Sequence, residues 1–248
     1  YNSTVSLNLL VEDVFRGLSK FMETREKKAL VVFDEFQQIV DLKENKKIEG
    51  LLREYIQGER NIAYFFVGSR RRILKDMFTD KNRPFYKSAF SYPLGKISKD
   101  ELSKFVRLQF ADTGKNCPLE IAQEIYDYVG GHTYYVQKLS HILWDITEKK
   151  VTPALLEKAK AELLQAEARD TFENMFQGLN QGEKKLVKAL AMEPTHQPYA
   201  APYLARYELN AGGVGRNIKS LLDKDLLEIT EDSVHQLTDP LFAKWCSM

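Results

Sequence analysis

The stretch ALVVFDEFQQ, residues 29–38, decides how this chain reads. Ala29 to Phe33 is a continuous apolar run of strand length with two β-branched residues, the pattern of a strand covered on both faces of a parallel sheet. Asp34 and Glu35 sit just past its C-terminal end. Upstream, Leu7, Leu10, Val14, Leu18 and Phe21 recur at helical spacing before the polar run Glu23 to Lys28, which predicts an amphipathic helix. Downstream, Ile48, Leu51, Leu52, Tyr55 and Ile56 share one face of a helix over 46–59, with Gly58 near its end. Ile62 to Val67 is a second buried strand, and it stops at Gly68-Ser69 before Arg70, Arg71 and Arg72. Strand, helix, strand at this spacing is a βαβ unit, so residues 1–97 read as part of an α/β domain with a parallel sheet.

From Ser98 onward the apolar spacing is helical. Ser98 with Glu101 three residues later predicts a capping box opening a helix over 99–110. Ile121, Ile125, Tyr128 and Val129 mark a second helix ending at Gly130-Gly131, and Tyr134, Val136, Leu139, Leu143 and Ile146 mark a third. Thr152-Pro153 is an N-cap followed by proline at the first helical position, opening a long helix. Residues 98–169 therefore read as an all-α lid or bundle. Residues 170–248 alternate differently: helices over 183–192 and 201–207, a Gly-rich turn at Gly212-Gly213, a helix over 214–223, then Leu226–Ile229 and Val234–Leu237 as a hairpin. Three helices and a hairpin make a winged helix.

Composition narrows the function. The 248 residues are 44% hydrophobic and 29% charged, and no apolar run approaches the roughly 20 residues of a membrane span, so no membrane partner is expected. Lys and Arg number 36 against 35 acidic residues, a net charge of +1 with no overall field toward nucleic acid. Tyr1-Asn2-Ser3-Thr4 lacks the flank and apolar stretch of a signal peptide, and two cysteines build neither a disulfide framework nor a Cys-rich metal site, which together predict a reducing, cytoplasmic setting. The four histidines lack zinc spacing, no G-x-S-x-G elbow marks a hydrolase triad, and Trp144 and Trp245 fall on apolar helical faces.

An aspartate at a strand end can hold Mg²⁺ while an adjacent glutamate orients the attacking water, the arrangement of nucleotide hydrolases. On the neighbouring strand Ser69 and Arg70 fall where a small polar side chain and a guanidinium would meet a γ-phosphate. The plain alternatives are a solvated acidic loop and a solvated basic helix start.

Taken together, residues 29–38, 64–70, Pro84–Lys87, Pro93-Leu94 with 98–105, 129–136 and the closing Asp239–Trp245 resemble, in order, the AAA+-related STAND ATPases, nearest the archaeal-type ATPases with a C-terminal winged helix. The resemblance implies a P-loop NTPase sheet using ATP and Mg²⁺. By it Asp34 is the metal residue and Glu35 its Walker B partner, Ser69 and Arg70 form the sensor 1 region, and Gly130, Gly131 and His132 turn the lid toward the nucleotide. Two departures stand out. No G-x-x-x-x-G-K-[ST] occurs anywhere, so the phosphate cradle and its lysine are missing. Truncation is expected over loss, because Asp34 and Glu35 keep their identities and Tyr1 is an unusual first residue. Thr133 stands where relatives carry proline, and no sensor 2 arginine lies on this helix, unlike in the replication-initiator branch.

The reading is thus the C-terminal portion of a nucleotide-dependent switch whose winged helix contacts an unidentified protein partner, with self-association left open. The alternatives are a DNA-binding regulator with a degenerate ATPase remnant, and an interaction scaffold without nucleotide. Between Thr171 and Met248 eight basic residues face ten acidic ones, and the expected recognition helix offers only Arg216, Lys219 and Lys224. Glu231-Asp232 on the wing would repel phosphate, which favours a protein partner over DNA.

Overall fold

The computed structural model describes residues 7–23 and 27–248. The N-terminal residues 1–6, which include Tyr1-Asn2-Ser3-Thr4, and residues 24–26 of the polar run lie outside the described residues. The chain divides into two compact units, Tyr1–Pro93 and Leu94–Met248.

In the first unit α1 (Leu7–Glu23) is followed by β1 (Ala29–Phe33), a 3-10 helix (Phe36–Asp41), α2 (Asn45–Gly58), β2 (Ile62–Phe66) and α3 (Arg71–Thr79). The two strands pair in parallel, with Ala29 opposite Ile62 and Phe33 opposite Phe66. Phe15, Phe36, Ile48, Leu52, Met77 and Phe85 form the core, with Phe33, Tyr64 and Phe66 packed against it. Aromatic rings dominate this small core: Phe33 stacks on Phe66 at 5.7 Å and on Phe15 at 6.3 Å. Each such ring buries a large area and adds a modest geometric preference.

The sheet departs from expectation in one respect. Among the described residues only one of its faces is covered: Leu30 is 60% and Phe65 57% exposed, and Val32 and Val67 are exposed beside them. The core lies entirely on the face carrying Phe33, Tyr64 and Phe66. A continuous apolar run has no two-residue alternation, so it cannot distinguish a covered face from a bare one.

The second unit contains α4 (Lys99–Asp112), α5 (Leu119–Tyr128), α6 (Thr133–Asp145), α7 (Pro153–Glu167), a π-helical turn (Ala168–Phe172) and α8 (Glu173–Gln177). It continues with α9 (Gln181–Met192), α10 (Ala201–Arg206), α11 (Ala211–Asp223), β3 (Leu227–Ile229), β4 (His235–Leu237) and α12 (Pro240–Cys246). Thr152 caps α7, its side chain accepting from the Leu155 N–H at 3.3 Å. Ser98 caps α4 by accepting from the Glu101 N–H at 3.3 Å, but the Glu101 carboxylate accepts from the Ser98 hydroxyl at 2.9 Å instead of closing a capping box on the backbone. A full capping box stands instead at Asn180 and Glu183, opening α9. Gly212 and Gly213, expected in a turn, belong to the first turn of α11, because the Asn210 side chain accepts from the Gly212 N–H at 2.9 Å and starts the helix earlier.

β3 and β4 form the expected antiparallel hairpin, Leu227 opposite Leu237, and His235 bridges back to Thr195. One apolar core runs from Leu102 in α4 through Leu163 in α7 to Phe242 in α12. Residues 98–169 and 170–248, read from sequence as separate segments, thus share a single interior. The architecture is a small parallel α/β unit, then a helical unit ending in a winged helix. No helix among the described residues is long and apolar enough to cross a membrane.

Candidate functional site

At the C-terminal ends of β1 and β2 the ladder continues past the strands: the Val67 N–H donates to the Phe33 carbonyl at 2.8 Å and the Phe36 N–H to the Val67 carbonyl at 2.9 Å. These bonds hold the Asp34-Glu35 turn against Gly68-Ser69. Phe36, fully buried, anchors the turn from below, with ring centroids 4.5 Å from Phe66 and 5.3 Å from Phe85. Glu35 itself has left-handed backbone angles, φ 49° and ψ 38°. A glutamate there is uncommon, and such strained residues cluster where function over-determines the backbone.

Asp34, Glu35, Ser69 and Arg70 lie together at the two strand ends. The Ser69 hydroxyl donates to Glu35 Oε2 at 3.1 Å, across the two strand ends. Asp34 is exposed, and its Oδ1 accepts from the Glu35 N–H at 2.9 Å, leaving Oδ2 for other partners. Arg70 pairs with Asp41 at 3.4 Å. An open cleft of about 670 Å³ is lined by Asp34, Glu35, Gln37, Asp41 and Arg70 on a floor of Phe33, Phe36 and Ile39.

Sequence reasoning missed three members. Asp41 holds the guanidinium of Arg70. Gln37 is 1% exposed, and its amide nitrogen donates to the same Glu35 Oε2 that Ser69 contacts. Gly68 leaves room for it: a Cβ at position 68 would stand 1.9 Å from Gln37 Oε1. Two glutamines between Phe36 and Ile39 and a glycine ending an apolar strand were the available signals.

Gly130, Gly131 and His132 lie in the second unit. Gly130 and Gly131 have φ of 58° and 71°. A Cβ on Gly131 would meet the Tyr126 ring at 2.5 Å, and one on Gly130 would meet Pro240 at 3.2 Å. Packing against Tyr126 and Pro240 thus requires glycine here irrespective of any ligand. His132 precedes α6 without a side-chain cap bond, and its ring sits 4.8 Å from that of Tyr135. With Lys224, Thr238 and Asp239 it borders a second, smaller cleft of about 320 Å³.

No group of three or more potential metal ligands occurs among the described residues. One exposed carboxylate with a free oxygen suits Mg²⁺, which keeps several waters and is bound through one or two carboxylates plus substrate phosphates. Thiol chemistry has no support: burial pushes Cys117 up to about 11 and Cys246 to about 12, well above neutral pH. In the winged helix Lys224 is committed to Glu183 at 2.8 Å, Arg206 to Glu193 at 2.5 Å and Lys185 to Glu208 at 3.5 Å.

With this geometry in place, residues 170–248 match the family described as a probable winged helix domain. The Walker-type ATPase PABY2304 of Pyrococcus abyssi superposes on 99% of this chain and 69% of its own, with a TM-score of 0.68 at 16% identity. At that identity the likeness is one of fold. Two weaker likenesses are the RuvB Holliday junction branch migration motor of Thermotoga maritima (90% of this chain, 72% of that one, TM-score 0.47, 14% identity) and the Orc1 protein of Aeropyrum pernix in complex with DNA (98% and 69%, TM-score 0.49, 14% identity). No curated protein matches the sequence. The chain therefore shares the fold of that Walker-type ATPase and carries a winged helix at residues 170–248.

Proposed function

We propose that this chain carries the metal and water side of a STAND-class ATP-dependent switch. The observation that supports this reading best is the hydrogen bond from Ser69 to Glu35 across two parallel strand ends, in one cleft with Asp34 and Arg70. In this reading Asp34 is the Mg²⁺ ligand, Glu35 accepts a hydrogen bond from the attacking water and orients it, and Arg70 meets the γ-phosphate, released to it from Asp41. Mg²⁺, when bound, neutralises charge on the phosphate oxygens. Ser69 fixes the glutamate from the second strand. Gly130, Gly131 and His132 keep, in the same proposal, the nucleotide-binding role that the resemblance gives them, and the winged helix meets the protein partner.

The sequence has no G-x-x-x-x-G-K-[ST], so residues 1–248 provide no backbone cradle for the β and γ phosphates. Binding by this chain should accordingly be weak and should depend on Asp34. The test is the melting temperature with and without a large excess of Mg²⁺-ATP, beside Asp34→Asn. A ligand at about 100 times its dissociation constant adds about 2.7 kcal/mol to the folded state. A stabilisation lost in Asp34→Asn supports the proposal; one that survives the substitution places the nucleotide elsewhere and refutes it.

A further inference from the structure

Glu35 Oε2 receives two donors, the Ser69 hydroxyl at 3.1 Å and the Gln37 amide nitrogen. The two donors differ in kind. Ser69 is exposed, and a hydroxyl there can turn to solvent. Gln37 is 1% exposed, so its amide has no solvent alternative. A carboxylate accepts only, so the amide must present nitrogen to Glu35, and its oxygen is turned toward Gly68. That oxygen has no hydrogen-bond partner among the described residues and occupies the space a side chain at position 68 would need. Leaving a buried amide oxygen unpaired is costly, and burial of so polar a group asks for a reason. Gly68 in turn cannot drift, because the Val67 and Phe36 backbone bonds pin both segments to each other.

We infer that Gln37 is a positioning residue for Glu35: its buried amide, wedged beneath the side-chain-free Gly68, fixes one carboxylate oxygen and leaves the other for the cleft. This rests on the reading of Glu35 as the group that orients water. A carboxylate on a left-handed residue with three side-chain torsions would otherwise sample several rotamers. Anchoring Oε2 from a buried site removes that freedom before any ligand arrives, which is how a supporting shell makes a reactive group efficient.

The experiment is side-chain NMR on the intact chain, and it needs no turnover. In the wild type the Gln37 amide protons should exchange with solvent about tenfold more slowly than those of its exposed neighbour Gln38, and Glu35 should occupy a single χ1 and χ2 rotamer in scalar-coupling measurements. Gln37→Met keeps the side-chain length and removes the donor; it should leave backbone shifts of β1 and β2 in place while Glu35 becomes rotamer-averaged. Gly68→Ala, which retains Gln37 but displaces its amide, should average Glu35 in the same way, and Ser69→Ala should do so less. Should Gln37→Met fail to fold, the wild-type exchange rate and Gly68→Ala still decide the matter. A wild-type Gln37 amide exchanging as fast as Gln38, or a Glu35 rotamer unaltered by Gln37→Met or by Gly68→Ala, overturns the inference. Glu35 order in the ligand-free chain is independent of whether Glu35 serves ATP hydrolysis, so failure of that function would show instead as a persistent nucleotide effect in Asp34→Asn.

Discussion

Removing the carboxylate of Glu183 should clearly destabilise the winged helix. Glu183 is 1% exposed and accepts four hydrogen bonds from three donors: Ser220 Oγ at 2.6 Å and Lys224 Nζ at 2.8 Å on Oε1, the Asn180 N–H at 2.9 Å and Lys224 Nζ again at 2.9 Å on Oε2. It therefore closes the capping box of α9 and ties α9 to α11 at once. In Glu183→Ala the Lys224 ammonium, on a partly exposed side chain, recovers water, but the Ser220 hydroxyl and the Asn180 N–H lose their acceptor. At roughly 1–3 kcal/mol for each stranded group, the loss is about 3 kcal/mol. For a unit of this size that corresponds to a fall in melting temperature of roughly 6–12 °C. Both tryptophans, Trp144 and Trp245, lie in this unit, so intrinsic fluorescence follows its unfolding without interference from the first.

The pH dependence gives a second check on the same residue. Burial alone would raise the pKa of Glu183, but the Lys224 and Ser220 hydrogen bonds and the Asn180 N–H hold it below 4.5. A depressed folded-state value means that the ionised form contributes stability above about pH 4.5, lost as the pH falls through the folded-state pKa. The stability gap between wild type and Glu183→Gln should thus narrow in acid. A loss below about 1 kcal/mol for Glu183→Ala, or a gap that widens below pH 4.5, would refute this account of the hub.

Three further outcomes follow from the geometry. Gly131→Ala meets both a left-handed backbone and the Tyr126 ring, whereas Gly114→Ala, at φ 76° with open space around it, meets only the backbone strain; urea unfolding should find the first clearly worse than the second, which costs about 1–2 kcal/mol. Phe85→Ala in the first core should cost about 3–5 kcal/mol by far-ultraviolet circular dichroism, while Phe65→Ser on the bare sheet face should stay within about 0.5 kcal/mol; equal losses would mean that the face is covered. Duplex DNA titrated by fluorescence anisotropy should show binding no tighter than about 10⁻⁴ M at physiological salt; tight binding with a steep salt slope, lost on Arg216→Ala and Lys219→Ala, would restore the DNA-regulator reading.

Much of this was legible in the residues, and the exceptions have physical causes. The two strands, the helix between them and the hairpin of the wing announce themselves because apolar run length and spacing are local properties. Thr152-Pro153 likewise marks its helix start, since the cap is made within three residues. What stayed hidden depends on pairing across the chain. The bare face of β1 and β2 is a property of what packs there, and no alternation in Ala29 to Phe33 records it. Gly212 and Gly213 read as a turn because glycine is a poor helix former, until Asn210 is seen to cap them into α11.

At the site, Asp34, Glu35, Ser69 and Arg70 could be named because they terminate recognisable strands. Gln37 and Asp41 could not, because their importance arises only when β2 brings Gly68 over the one and Arg70 beside the other. Gly130 and Gly131 were legible as an unusual turn; Tyr126, which forbids a side chain at Gly131, is only five residues upstream, but the direction of its ring is not written in the spacing, and Pro240, which crowds Gly130, is distant in sequence.

The most direct measurement is paramagnetic relaxation by Mn²⁺-ATP on the amide resonances of the first unit, since it registers even weak binding at a defined place. Residues 33–35 and 67–70 should broaden selectively, and Asp34→Asn should abolish that broadening. Broadening centred elsewhere, or undiminished in Asp34→Asn, would contradict the assignment of this cleft to a metal-bound nucleotide.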